Sequence, residues 1–220
     1  MSPQYIDLMQ FYPVPNNRLE QRYKPSENDK AVAKMFGKDF FDGDRRFGYG
    51  GFTYNPRFWT KTVELFIDYF ALGNNSSVLD VGCGKGFMLV DFHKALPRAT
   101  LAGIDISEYA IANAHESVKS KLQVANCLKL PYPDSTFDLV ISINTIHNLD
   151  RFGCIQALRE IERVKVNDSY VVVDGWSSIN EKRDLESWVL TAETVLSHSQ
   201  WRELFDEAGY TGKYSFWKVR

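Results

Sequence analysis

The stretch SSVLDVGCGKGFMLVDF, residues 76–92, constrains this chain more than any other. A short apolar run with β-branched members reaches Gly82, Gly84 and Gly86 and passes at once into a helix-like run. A strand that is apolar on both faces needs cover on both, so strand, tight turn and helix in that order begin a βαβ unit. Glycines in such a turn adopt conformations and allow close approaches that a Cβ forbids, and turns of this kind commonly cradle nucleotides.

The pattern repeats downstream. TLAGIDI reads as a second strand, and Ser107 caps a helix through EYAIANAHESV. KLQVANC is a weaker third strand, FDLVISIN a clear fourth and SYVVVDGW a fifth, with the helix CIQALREIERV before the last. Alternating strands and helices imply right-handed crossovers and an α/β fold, a Rossmann-like three-layer sandwich. In the tail, SQWRELFDEAGY is a helix stopped by Gly209, and TGKYSFWKV alternates polar and apolar residues. No crossover helix follows it, so the expected sheet is seven-stranded and mostly parallel with an antiparallel last strand.

Upstream, Asn55-Pro56 opens a helix in which Phe58, Val63, Phe66, Ile67 and Phe70 recur at helical spacing before Gly73. What precedes it is polar, Pro-containing and rich in aromatics. The expected division is an N-terminal extension or lid at 1–55 and a main domain at 56–220.

Charge and composition exclude several classes. The net charge is −2 with no run of one sign, so no basic stripe for nucleic acid is written in. Cys83, Cys127 and Cys154 are far apart and odd in number, which is neither a disulfide framework nor a zinc spacing. The start MSPQYIDLMQFYPVP lacks a signal-peptide pattern, and no run is apolar enough to span a bilayer. The expectation is a cytoplasmic protein with no membrane, nucleic-acid or metal partner.

The glycine turn is selective about its ligand. A dinucleotide fingerprint is G-x-G-x-x-G, whereas here the third glycine comes one residue early. Asp80 sits at the strand end, where a carboxylate repels pyrophosphate but suits an ammonium or sulfonium. Lys85 lies between two glycines without the Gly-Lys-Ser/Thr of a P-loop. Asp105, about twenty residues on, can accept from ribose hydroxyls in either a dinucleotide or an adenosyl ligand. Asn126 ends the third strand, ahead of a Leu-Pro turn and Phe137-Asp138.

VLDVGCGKG, GIDIS, LPYPDSTFDLVIS and the closing AGY together resemble the class I S-adenosylmethionine-dependent methyltransferases, small-molecule branch. The resemblance covers about Ser76 to Val173 well and the tail loosely; the N-terminal segment resembles a bacterial stand-alone subgroup. It implies S-adenosyl-L-methionine as cofactor. Asp80 and the turn at Gly82, Cys83 and Gly84 would hold the methionine end, with Asn144 nearby. Asp105 would take the ribose and Ile106 the adenine face, while Asn126 and Cys127 would read the adenine edge. The family commonly has an acid where this chain has Asn126; an amide oxygen keeps the contact without the charge.

Methyl transfer is an in-line displacement, so positioning dominates and an acceptor that carries a proton needs a base. SINTIHNLD puts His147 just past the fourth strand, over the expected methyl position, as base or acceptor contact; its plainer reading is a loop histidine bonded to backbone. His93 and His115 fall on the far side, and His198 is in a later loop that can approach substrate. In DGDRRFGYGGFTY, Tyr49 and its neighbouring rings read as a lid near a sulfonium or as a docking face, and Arg45 and Arg46 supply donors for an anionic acceptor group. Trp176, Trp188 and Trp201 follow the fifth strand, over the acceptor pocket or as ordinary packing. Asp184 and Glu186 suit an amine or a solvated helix face. The expected function is methyl transfer to an oxygen or nitrogen of a small-molecule acceptor, with a homodimer left open. The rivals are a catalytically silent binding subunit of the same fold and an NAD-dependent oxidoreductase.

Overall fold

The structure is a computed structural model and describes residues 2–13 and 24–217. Its centre is an eight-stranded sheet. The strands are β1 (Gln4–Tyr5), β2 (Ser77–Val81), β3 (Thr100–Asp105), β4 (Leu122–Val124), β5 (Phe137–Ile143), β6 (Lys165–Trp176), β7 (Leu196–Ser197) and β8 (Lys213–Trp217). The spatial order is β1-β8-β6-β5-β2-β3-β4, with β7 paired to β6 beside that path. The order reverses at β2, so the turn after β2 is a topological switch point.

The helices are α1 (Glu27–Ala33), α2 (Lys38–Asp42), α3 (Pro56–Tyr69), α4 (Phe87–Ala95), α5 (Glu108–Ala112), α6 (Arg151–Val164), α7 (Ile179–Trp188) and α8 (His198–Ala208). Asn55 caps α3 by accepting from the Arg57 N–H, with Pro56 in the first turn. Strand periodicity sorts the core between two faces. Val78, Leu139, Ile141 and Val172 pack with α3 and α4; Leu79, Val140, Val171 and Val173 pack with α6 and α8. Neighbours along one strand thus serve opposite layers, which is why these segments read as unbroken apolar runs.

Two expectations change. The last strand, expected antiparallel, pairs parallel to β6, with Tyr170 opposite Lys213 and Asp174 opposite Trp217. The cause is α8, which acts as the crossover helix into β8 and returns the chain to the starting end of the sheet. The second crossover helix is short because the chain turns away after Ala112; the His115 N–H then donates to the Lys85 carbonyl in the glycine turn. The start of the N-terminal stretch joins the sheet. β1 extends the sheet edge parallel to β8, and buried Leu8 donates its N–H to the Tyr170 hydroxyl. Among the described residues, no helix is long and apolar enough to cross a membrane.

Candidate functional site

At the carboxyl ends of β2, β5 and β6 lies a cavity of about 1010 Å³. Its floor is the glycine turn. Gly82, Gly84 and Gly86 all have positive φ, at 85°, 53° and 76°. A Cβ on Gly82 would stand 2.0 Å from the Thr145 hydroxyl oxygen, so only glycine fits there. The N–H groups of Gly82 and Cys83 both donate to the Ile104 carbonyl, which fixes the turn against β3.

Asp80 lies beneath this turn, 5% exposed, and lines the cavity. No described residue donates a hydrogen bond to it. Burial, followed by the neighbouring Asp105 charge, pushes its carboxyl up to about 8. A buried acid without a partner is costly unless a ligand completes it, and a cation is the ligand that would. Asp105 is satisfied differently. Its two oxygens accept from the Gly84 and Ser107 N–H groups at 2.8 Å each. Burial raises its pKa, and bonds from Ser107, Gly84 and Ile106 oppose the rise.

The sequence-derived site residues fall into separate groups. Asp80, Gly82, Cys83, Gly84, Asn144, His147, Tyr49, Arg45 and Arg46 all line the cavity. Asp105, Ile106, Asn126 and Cys127 lie outside its lining, where α5 and the loop after β4 begin. Ile106 is 53% exposed there, and the Asn126 amide oxygen accepts from the Leu128 N–H within its own loop. Trp176 and His198 do not line the cavity. His198 starts α8 and stacks on Phe216, with ring centroids 3.8 Å apart; Lys182 stands over the Trp176 ring. Trp201 is core, while Trp188 reaches the cavity wall beside Tyr49.

His147 is 4% exposed on a 3-10 turn after β5. Its Nδ1 accepts from the Asp174 N–H at 2.9 Å, which places the ring proton on Nε2. Nε2 faces the Asp174 Oδ2 at 3.6 Å. Burial lowers the His147 pKa against the pull of Asp174, so the ring is neutral at physiological pH. Nδ1 is therefore committed to the Asp174 N–H, while Nε2 only lies beside its carboxylate.

Two residues of this site were missed in the sequence. Asp174 lies two residues before the end of β6, is 5% exposed and lines the cavity. An Asp near the carboxyl end of a parallel strand was the available signal, the same one that marked Asp80 and Asp105. Lys85 is buried in the glycine turn, where its Nζ donates to both oxygens of Asp42 in α2, at 2.5 and 2.6 Å, and to the Phe52 carbonyl. Asp42 also accepts from the Tyr109 hydroxyl. Nothing local in the sequence joins residues so far apart.

Comparison with known proteins finds methyltransferases. Residues 78–167 match the model of a methyltransferase domain. An uncharacterized methyltransferase of Schizosaccharomyces pombe is 33% identical over 106 residues, 43% of this chain and 37% of that protein. A sterol 4-C-methyltransferase of Caenorhabditis elegans is 35% identical over 112 residues, 47% of this chain and 32% of that one. A SAM-dependent methyltransferase of Aquifex aeolicus shares the fold at 23% identity, with a TM-score of 0.52 over 67% of this chain and 78% of its own. The chain spans about a third of the length of those two curated relatives.

Proposed function

We propose that this chain, which carries a class I S-adenosylmethionine-dependent methyltransferase domain at residues 78–167, transfers a methyl group to an oxygen or nitrogen of a small molecule held in the cavity. The observation that carries the reading is Asp80: a buried carboxyl with no hydrogen-bond donor among the described residues, under a turn that only glycine can form, facing open volume. That arrangement rejects a pyrophosphate and fits the cationic methionine end of the cofactor. The volume is at the upper end of the roughly 300–1,000 Å³ usual for small-molecule sites.

When bound, the cofactor supplies a methyl group on a positively charged sulfur, a good leaving group. The chain's own residues do the rest. Asp80 pairs with the ammonium and the backbone from Gly82 to Gly84 lies against the methionine portion. Asp105 keeps lone pairs for ribose hydroxyls beyond its two backbone bonds. Tyr49, Phe40 and Trp188 wall the cavity with rings that exclude water. Residues 24–55 serve as a lid, with the Lys85–Asp42 pair as its latch.

Calorimetry with S-adenosylhomocysteine tests the reading, followed by incubation with labelled cofactor and a metabolite extract. Binding and a labelled product are expected. An empty titration, or binding of a nicotinamide dinucleotide in its place, overturns it.

A further inference from the structure

The cavity is charged differently at its two ends. Its inner wall carries Asp80 and Asp174, both buried near the carboxyl ends of their strands. Its mouth lies along the stretch after α2 and the first turn of α3, where Arg45, Arg46 and Arg57 line it from exposed positions. Each guanidinium is steadied by a contact that uses little of its donor capacity. Arg45 donates from Nη1 to the Tyr49 carbonyl at 3.1 Å. Gly50 makes room for it, since its φ is 95° and a Cβ there would stand 1.9 Å from that nitrogen. Arg46 stands over the Phe47 ring and Arg57 over the Phe58 ring, each 4.6 Å from the centroid. A guanidinium over a ring interacts through its face and keeps the N–H groups in its plane for another partner.

Among the described residues, none of these three arginines is paired with a carboxylate. Asp44, the acid of this stretch, accepts instead from the main-chain N–H of Arg46. The Arg46 charge also acts on Asp29, but the Oδ2 of Asp29 is taken by the N–H and hydroxyl of Ser26. Planar forks of this kind match the two oxygens of a carboxylate or phosphate. The opposed acids give the ligand a direction. An anionic group is drawn to the mouth and away from the inner wall, so the rest of the molecule points inward to the turn at Gly82 to Gly84.

Resting on the methyltransferase reading, we propose that the acceptor is an organic acid whose carboxylate or phosphate is held at the cavity mouth by Arg45, Arg46 and Arg57, with its oxygen or nitrogen nucleophile directed at the glycine turn. The anionic group is the handle and not the reacting atom. The methylated product therefore keeps its acid.

The test uses the chain loaded with S-adenosylhomocysteine and probes that differ in charge but hardly in shape: benzoate, benzamide and benzamidinium, with phenyl phosphate as a second anion. Benzoate or phenyl phosphate is expected to raise the thermal midpoint, while benzamide and benzamidinium do not. The larger of the two anion shifts names the acid as carboxylate or phosphate. That shift should shrink at high salt, because the arginines are exposed. Arg57→Gln should weaken the anion by roughly 3–10-fold, and R45Q with R57Q should lose the shift while still binding S-adenosylhomocysteine. Arg57→Lys should recover part of the affinity, keeping the charge without the fork. An undiminished anion shift in the double variant, or a wild-type response to benzamidinium instead, overturns the proposal.

In a metabolite extract with labelled cofactor, mass spectrometry should find a free carboxylate or phosphate in the methylated product. R57Q should raise the KM for that acceptor with the cofactor KM unchanged. A methyl ester, or a product without an acid group, overturns the assignment. The two readings fail separately. A chain that binds S-adenosylhomocysteine and responds to neither anion removes this proposal alone. A chain that responds to the anions and does not bind S-adenosylhomocysteine removes the methyltransferase reading.

Discussion

The central sheet and the lid over it are held by different physics. Val78, Leu79, Val140, Ile141, Val171 and Val172 are fully buried between two helical layers. In the lid, α2 buries no residue fully. It is fastened by directional bonds: Lys85 and Tyr109 to Asp42, the Ser107 hydroxyl to the Phe36 carbonyl, and the Leu190 N–H to the Tyr49 hydroxyl. Apolar burial is summed over many atoms and fails all at once, whereas a few polar ties release one by one. The contrast teaches that the scaffold and its cover can have separate stabilities, as a site that must admit a ligand requires.

The contrast is broken most strongly from the sheet side. Leu79→Ala removes a side chain with no exposed surface and should cost about 2–5 kcal/mol in denaturant unfolding. Protease sensitivity of residues 24–55 under native conditions should hardly move. A loss below about 1 kcal/mol would mean that the sheet is not the cooperative unit.

Next in size is the place where sheet end and cover meet. Asp80 has its carboxyl pushed up to about 8, against a usual value of 3.8. Between those values the folded chain binds more protons than the unfolded one, so stability of the ligand-free protein falls as pH rises from about 4 to 8 and then levels. Asp80→Asn should flatten that slope and make the ligand-free protein more stable than the wild type at pH 8. The same change should weaken S-adenosylhomocysteine binding by about 10–100-fold, the scale of one charged hydrogen bond. In the wild type that affinity should rise with pH up to about 8, since an ammonium ligand favours the ionised acid. Melts from pH 5 to 8 and calorimetry check both; parallel pH slopes in wild type and D80N would remove Asp80 as the ligand's partner.

Smaller again is the latch. Burial pulls the Asp42 pKa upward, but bonds from Lys85 and Tyr109 and the Lys85 charge outweigh it and hold it below its usual value. The latch is therefore at full strength above the usual carboxylate range and is lost as pH falls through the lowered value. Asp42→Asn leaves buried Lys85 without its charge partner and should cost about 1–3 kcal/mol locally. The global cost is capped by the free energy of lid opening, because an open lid returns Lys85 to water. Faster hydrogen exchange at residues 38–52 with a nearly unchanged thermal midpoint is the expected result. An equal fall in both would join lid and sheet into one unit.

The same contrast decides what the sequence could reveal. β2, β3, β5 and β6 were legible because burial on both faces forces continuous apolar, β-branched runs. Asp80 and Asp105 were legible because strand ends beside a glycine turn are chemically marked positions. The direction of β8 was misjudged by looking for a helix after it, when the helix before it sets direction. The lid was legible as a segment but not in its fastening, since Asp42–Lys85 and Tyr49–Leu190 join distant residues without periodicity. His147 was found by position, yet its commitment to Asp174 depends on tautomer and distance, which no spacing encodes.

The smallest expected effect lies on the exposed side of the turn. Asn126 is exposed, and its amide oxygen already accepts from the Leu128 N–H at 2.9 Å, closing a local turn. Asn126→Asp keeps an acceptor for that N–H and leaves a second oxygen, now charged, for an adenine amino group. Charge at an exposed site is screened by water and salt, so the gain is bounded by about 0.7 kcal/mol, or roughly threefold in affinity at low salt. The change should fade as salt is raised, whereas the Asp80 effect, formed in a buried site, should persist. Calorimetry of N126D at two ionic strengths reads this directly. A tenfold, salt-resistant tightening would show that the loop closes over the adenine edge when the nucleoside binds, and that the cover extends to residues 124–130 as well as α1 and α2.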